Sequence, residues 1–138
     1  MNRDKQQTKV LAQGKYLLAT RFGSIVYIAG MTPRINGELI QSGKIKMNES
    51  LETYKDSVRQ ATENALLAAE NTLTKQEKLE KILNLNLYIN AEDTFTSHSF
   101  VADYASEYLF ERLGEMGIGS RVAIGVASLP NNVRLKYN

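Results

Sequence analysis

Cysteine is absent from the 138-residue chain and histidine occurs once. Without thiols there are no disulfides, no thiolate metal sites and no cysteine nucleophile, so the fold must hold by packing alone. No apolar run approaches the roughly 20 residues that span a bilayer, and the opening NRDKQQTK is too polar for a signal peptide. A cytoplasmic protein with no membrane partner is therefore expected. Charge of one sign is scarce too: 17 basic against 15 acidic residues leave a net +2, spread along the chain without the concentrated basic footprint of a nucleic-acid binder. Repeats and low-complexity tracts are missing. What is present is 43% hydrophobic residues, enough for one core of ordinary domain size. A polar, aperiodic, flexible arm over residues 1–13 precedes a single folded domain over residues 14–138.

Apolar runs at residues 16–20 and 25–29 flank Phe22-Gly23-Ser24 and predict two antiparallel strands joined by a tight turn. The second run, IVYIA, is unbroken, which predicts a strand covered on both faces. Asn36-Gly37 is the strongest two-residue turn signal and leads into a brief strand at residues 38–40. Asn48 is placed to cap the first long helix, with Glu49 and Glu52 in its first turn. Leu51, Tyr54, Val58, Ala61, Ala65 and Ala68 then recur at steps of three and four as one buried stripe, opposite a solvated face of Lys55, Asp56, Arg59, Gln60 and Glu63.

At residues 83–90 leucine and isoleucine alternate with asparagine and tyrosine, the pattern of a strand with one oily and one polar face. A second helix, capped by Asp93 or Thr94, turns Val101, Tyr104, Ala105, Tyr108 and Leu109 inward and stops at Gly114. His98, between two serines on that helix, is placed on the surface. Gly117 and Gly119 follow a helix and precede a strand, the reverse of a dinucleotide-binding context. Strands at residues 122–127 and 133–137 complete the order. It predicts an α+β two-layer sandwich: a six-stranded mixed sheet with two helices on one face. The open face, with Asn84, Asn86 and the apolar runs, is expected to meet another subunit, because apolar strand faces left in water promote aggregation.

The most informative string is GSRVAIGVASLP at residues 119–130. Arg121, ahead of a strand of small and apolar residues, either clamps a ligand carboxylate with its planar fork or pairs with an acidic side chain across an interface. Together with GKYLLA and SIVYIAGMTP, in that order and spacing, the string resembles the YjgF-type, or Rid, family from Gly14 to Tyr137. The resemblance implies a chorismate mutase-like fold and a homotrimer with ligand clefts between neighbouring subunits. It also implies small carboxylate ligands, no cofactor and no metal.

In the family's active deaminases, which hydrolyse reactive enamines and imines, an arginine holds the substrate carboxylate. A tyrosine and a serine shape the cleft, and a glutamate on the last strand positions the attacking water. Carried over by position, the arginine is Arg121 and the tyrosine Tyr16. The serine is replaced by Ala29, the glutamine that often follows the next glycine by Met31, a cysteine of some members by Ala123, and the glutamate by Lys136. The resemblance thus makes Arg121, Tyr16, Ala29 and Ala123 ligand-binding positions and leaves the catalytic group unassigned, with Lys136 as the candidate. A protonated lysine has three donors and no acceptor, so it does not activate water as a carboxylate does. A last strand running a few residues past Asn138 is also implied.

The leading expectation is a homotrimer that binds 2-keto or 2-imino acids without efficient deamination. The alternatives are an enamine/imine deaminase, using a backbone-held water or Lys136, and an L-PSP-type endoribonuclease, a label some relatives carry. Against RNA, single-stranded sites join a positive groove to exposed stacking aromatics, whereas most aromatics here stand at core spacing.

Overall fold

Antiparallel hydrogen bonding turns the first apolar runs into a hairpin of β1 (Ala19–Phe22) and β2 (Ile25–Ile28). The computed structural model describes residues 11–137, and side chains for residues 11–134. Most of the expected arm, residues 1–10, lies outside the described residues. A second hairpin, β3 (Arg34–Ile35) and β4 (Glu38–Leu39), turns through Asn36 and Gly37 at φ 52° and 85°. Both central residues are left-handed, as this two-residue turn requires, and asparagine and glycine tolerate that best.

A 3-10 turn at Leu51–Tyr54 leads into α1 (Lys55–Glu70). Asn48 is not its cap. The Glu49 N–H bonds back to the Lys46 carbonyl at 3.4 Å, and no side chain caps the helix start. The entry is fixed by buried Tyr54 instead: its hydroxyl accepts from the Lys46 N–H at 3.2 Å, and the Arg134 guanidinium lies 5.0 Å from its ring centre. Tyr54, Val58, Ala61 and Ala68 are buried as the stripe predicts. The buried face is wider than the stripe, since Ser57, Thr62 and Asn64 beside it are buried too, and on the opposite face Arg59 reaches Glu111 of the next helix while covering the Tyr108 ring.

The remaining elements are β5 (Asn84–Asn90), α2 (His98–Leu113), β6 (Ser120–Val126) and β7 (Leu135–Tyr137). Helix α2 begins later than Asp93 or Thr94 because the preceding segment is tied elsewhere. The Glu92 N–H donates to the Ile45 carbonyl at 2.9 Å, the Phe95 N–H to the Glu92 carbonyl at 2.9 Å, and Phe95 is buried. Strand β5 is central, parallel to β6 and antiparallel to β7. Its Leu85, Leu87 and Ile89 join Val58, Ala61, Val101, Ala105 and Leu109 of the two helices in one core, giving the helix layer over one sheet face.

The expected six-stranded sheet is not formed among the described residues, which make seven strands in sheets of two, two and three. Strand β7 pairs only with Leu87, Tyr88 and Ile89 of β5. Beside the rest of β5 a groove of about 690 Å³ separates Leu85 and Asn86 from Ile25 and Tyr27 of β2, over Ala65 and Leu66 of α1. For the same reason the IVYIA run is not covered on both faces: Tyr27 is 67% exposed. Among the described residues, no helix is long and apolar enough to cross a membrane.

Candidate ligand-binding site

Arg121 stands opposite Leu85 in the parallel ladder, as Ala123 stands opposite Leu87 and Gly125 opposite Ile89. Partners across a ladder share a sheet face, so these three β6 residues point toward the helix layer, at the edge of the sheet. Helix α2 meets Arg121 with a polar stripe at steps of four and three. Nη1 donates to Asp103 Oδ1 and Ser106 Oγ, each at 2.9 Å, and Nη2 to Ser99 Oγ at 2.9 Å and the Ser99 carbonyl at 3.3 Å. The side chain keeps 22% of its surface exposed.

Within the chain, the acidic partner of Arg121 is Asp103 of α2. Ser99, Asp103 and Ser106 escaped sequence reasoning. Their helical spacing was visible, but it was overshadowed by the apolar stripe on the same helix. His98, expected on the surface, is half-buried: its ring meets Phe95 edge-on with centroids 5.1 Å apart, and it lies over β6 at Gly125. A Cβ at position 125 would stand 2.6 Å from His98 Nε2, so a side chain there requires the imidazole to shift.

Tyr16 and Ala29 belong to a second locality. The Tyr16 hydroxyl accepts from the Gln13 N–H at 3.2 Å, and the Ala29 N–H donates to the Leu18 carbonyl at 2.8 Å, extending the β1–β2 hairpin. Tyr16 lines a cavity of about 220 Å³ with Gly30, Met31, Arg34 and Leu129. Asn64 of α1 ties this wall down, its Nδ2 donating to the carbonyls of Thr32 at 3.0 Å and Arg34 at 2.9 Å.

Lys136 is opposite Tyr88 in β7, and its side chain lies outside the described residues. Within one chain the candidate residues thus fall into two groups, Arg121 with Ala123 and Tyr16 with Ala29, and no described contact joins them. Among the described residues no three His, Cys, Asp or Glu side chains gather into a metal site. Several aromatics stand outside the core: Phe22, Tyr27, Phe100 and Phe110 are exposed.

No family model matches the chain. It is similar to Protein TCP17 of Trypanosoma cruzi, 24% identical over 109 residues that cover 78% of this chain and 68% of that protein. Its fold is similar to the crystal structure of an endoribonuclease candidate from Shewanella oneidensis, with a TM-score of 0.84, 24% identity and coverage of 93% of this chain and 85% of that one. The YjgF gene product of E. coli gives a TM-score of 0.63 at 16% identity, covering 91% and 86% of the two chains. E. coli TdcF with bound serine gives 0.62 at 18% identity, also covering 91% and 86%. At these identities the likeness is one of fold, and the chain has the YjgF-type fold.

Proposed function

We propose that this chain uses the YjgF-type fold to bind small carboxylates, such as 2-keto and 2-imino acids, at Arg121. In this reading the cleft is completed by neighbouring copies in a homotrimer, and ammonia is released from imines only slowly. The observation that carries the reading is the setting of Arg121: a guanidinium fork at the sheet edge, flanked by small residues and two serine hydroxyls, and paired among the described residues with half-exposed Asp103. A ligand carboxylate takes the place of the Asp103 oxygen and keeps both serine partners. The serine held by TdcF supports a ligand of that size on this fold.

The trimer is supported by β6, whose outer edge has no strand partner among the described residues and whose open face presents Val122 and Ile124 to solvent. A second copy covering that face removes exposed apolar surface. Slow deamination follows from chemistry. Ala29 offers no hydroxyl and Lys136 offers no acceptor at neutral pH. RNA cleavage, suggested by the description of the Shewanella protein, is the rival outcome.

Calorimetry with pyruvate tests the reading. Arg121→Ala lowers pyruvate affinity at least about tenfold while light scattering still reports three copies. Unchanged affinity makes the arginine structural. Ammonia release from 2-aminoacrylate far above spontaneous hydrolysis makes the protein an enzyme instead.

A further inference from the structure

The arginines that meet carboxylates among the described residues do so in two ways. Arg21 and Arg59 each set both Nη atoms on both oxygens of one partner, Glu77 and Glu111. Arg121 meets its carboxylate at one point only, through Nη1 to Asp103 Oδ1 at 2.9 Å. Asp103 makes no other side-chain bond among the described residues, and 51% of its side chain is in solvent. The arginine does not need it to stay in place. Ser106 Oγ and Ser99 Oγ each accept at 2.9 Å, and the Ser99 carbonyl, at 3.3 Å, is the longest of the four bonds.

The serines therefore form the frame, and the carboxylate is the exchangeable part. A half-exposed, one-point ion pair is weak, whereas a planar carboxylate aligned with both arms of the fork gains a second charge-assisted bond. Asp103 is nevertheless tethered. Once displaced it stays on α2, a side-chain rotation from the fork, and competes for Arg121 at a fixed local concentration. Its charge also remains beside the ligand, and Glu107, one helical turn further along α2, adds another of the same sign.

We propose that Asp103 sets the affinity and the charge selectivity of this site: an internal carboxylate that occupies the fork when no ligand is present, yields it to a monoanion and turns a dianion away. The inference rests on the reading of Arg121 as a carboxylate site.

Pyruvate and malonate are the probes, the second being of similar size and carrying two charges at about pH 8, well above the carboxyl range. Calorimetry at that pH compares the unsubstituted full chain with Asp103→Asn, Asp103→Glu and Arg121→Ala. Asp103→Asn keeps the size of the side chain and removes its charge, so pyruvate affinity rises about twofold to fivefold, the worth of an exposed ion pair. Malonate affinity rises by about twice that factor or more, because a repulsion is removed as well, and the preference for pyruvate narrows. Asp103→Glu retains the competitor and leaves both affinities close to those of the parent. Asp103→Ser removes the same charge through a shorter side chain and gives the same order of effects, so the result does not hang on the folding of one variant. A residue that only shapes the wall leaves the ratio of the two affinities unmoved, and that outcome overturns the selectivity. Pyruvate affinity unchanged or lowered in both neutral variants, with binding abolished by Arg121→Ala, overturns the role of Asp103 and leaves the Arg121 reading standing. Pyruvate binding that survives Arg121→Ala, or is missing from every one of these proteins, overturns both.

Discussion

Strands β2 and β5 are both apolar in sequence and reach opposite fates. In β5, Leu87 and Ile89 are fully buried between α1 and α2, whereas in β2 Ile25 is 44% and Tyr27 67% exposed. The difference lies in what packs behind them. The polar residues of β5 alternate with its leucines and leave one oily face for two helices, while β2 is an unbroken run with no second layer assigned to half of it. An apolar strand therefore declares that it needs cover without naming the cover. The hairpin is instead joined to the helices by polar ties, Asn64 to the segment after β2 and Arg21 of β1 to Glu77 beyond α1.

The largest effect expected from this contrast is at Leu87. Leu87→Ala opens a cavity beneath both helices and costs about 2–5 kcal/mol, read as a fall in the urea midpoint at unchanged slope. A loss below 1 kcal/mol means that the β5 face can collapse around the gap and is not the rigid half of the molecule.

Next comes the tie at Asn64. Asn64→Ala leaves the Thr32 and Arg34 carbonyls without their donor, and the expected loss is about 1–3 kcal/mol, slightly offset by the better helix propensity of alanine. A variant as stable as the parent shows that the hairpin side rests on contacts other than this one.

The two regions also differ in how legible they were. The β5 strand, the inward stripes of both helices and the Asn36-Gly37 turn follow from local periodicity and turn chemistry, which are carried within a few residues. The helix starts were misplaced because tertiary ties, Tyr54 to Lys46 and Glu92 to Ile45, overrule side-chain caps. The division of the sheet depends on how strands far apart in sequence meet, which no local pattern encodes. For the site, Arg121 could be singled out, but its α2 partners are relations between elements, visible only once those elements pack.

A smaller effect is expected from acid at the second tie. Arg21 donates through both Nη atoms to the Glu77 carboxylate, and the Thr74 N–H adds a bond at 2.9 Å. These bonds, chiefly those from Arg21, lower the Glu77 carboxyl from 4.5 to about 2. The folded state thus favours the ionised form. The contribution is fully present above about pH 4.5 and is lost as the pH falls toward 2. Glu77→Gln removes it, so parent and variant converge in urea midpoint between pH 5 and pH 2.5. The pair is exposed and the gap at pH 5 is accordingly small. Parallel pH profiles with a constant gap contradict the linkage.

The smallest effect is expected at Phe22, which ends β1 with 86% of its surface in solvent. Phe22→Ser removes no contact from the core, so the urea midpoint of a single chain moves by no more than about 0.5 kcal/mol. The measurement is made at two protein concentrations a hundredfold apart. A midpoint that is unchanged at both leaves Phe22 as a solvated turn residue and sets the hairpin tip apart from every assembled surface. A loss above 1 kcal/mol that grows with protein concentration shows instead that another copy covers the ring, since only an association linked to folding makes stability depend on concentration. In that case the contrast between β2 and β5 narrows: the two strands are covered alike, one by its own helices and the other by a neighbour.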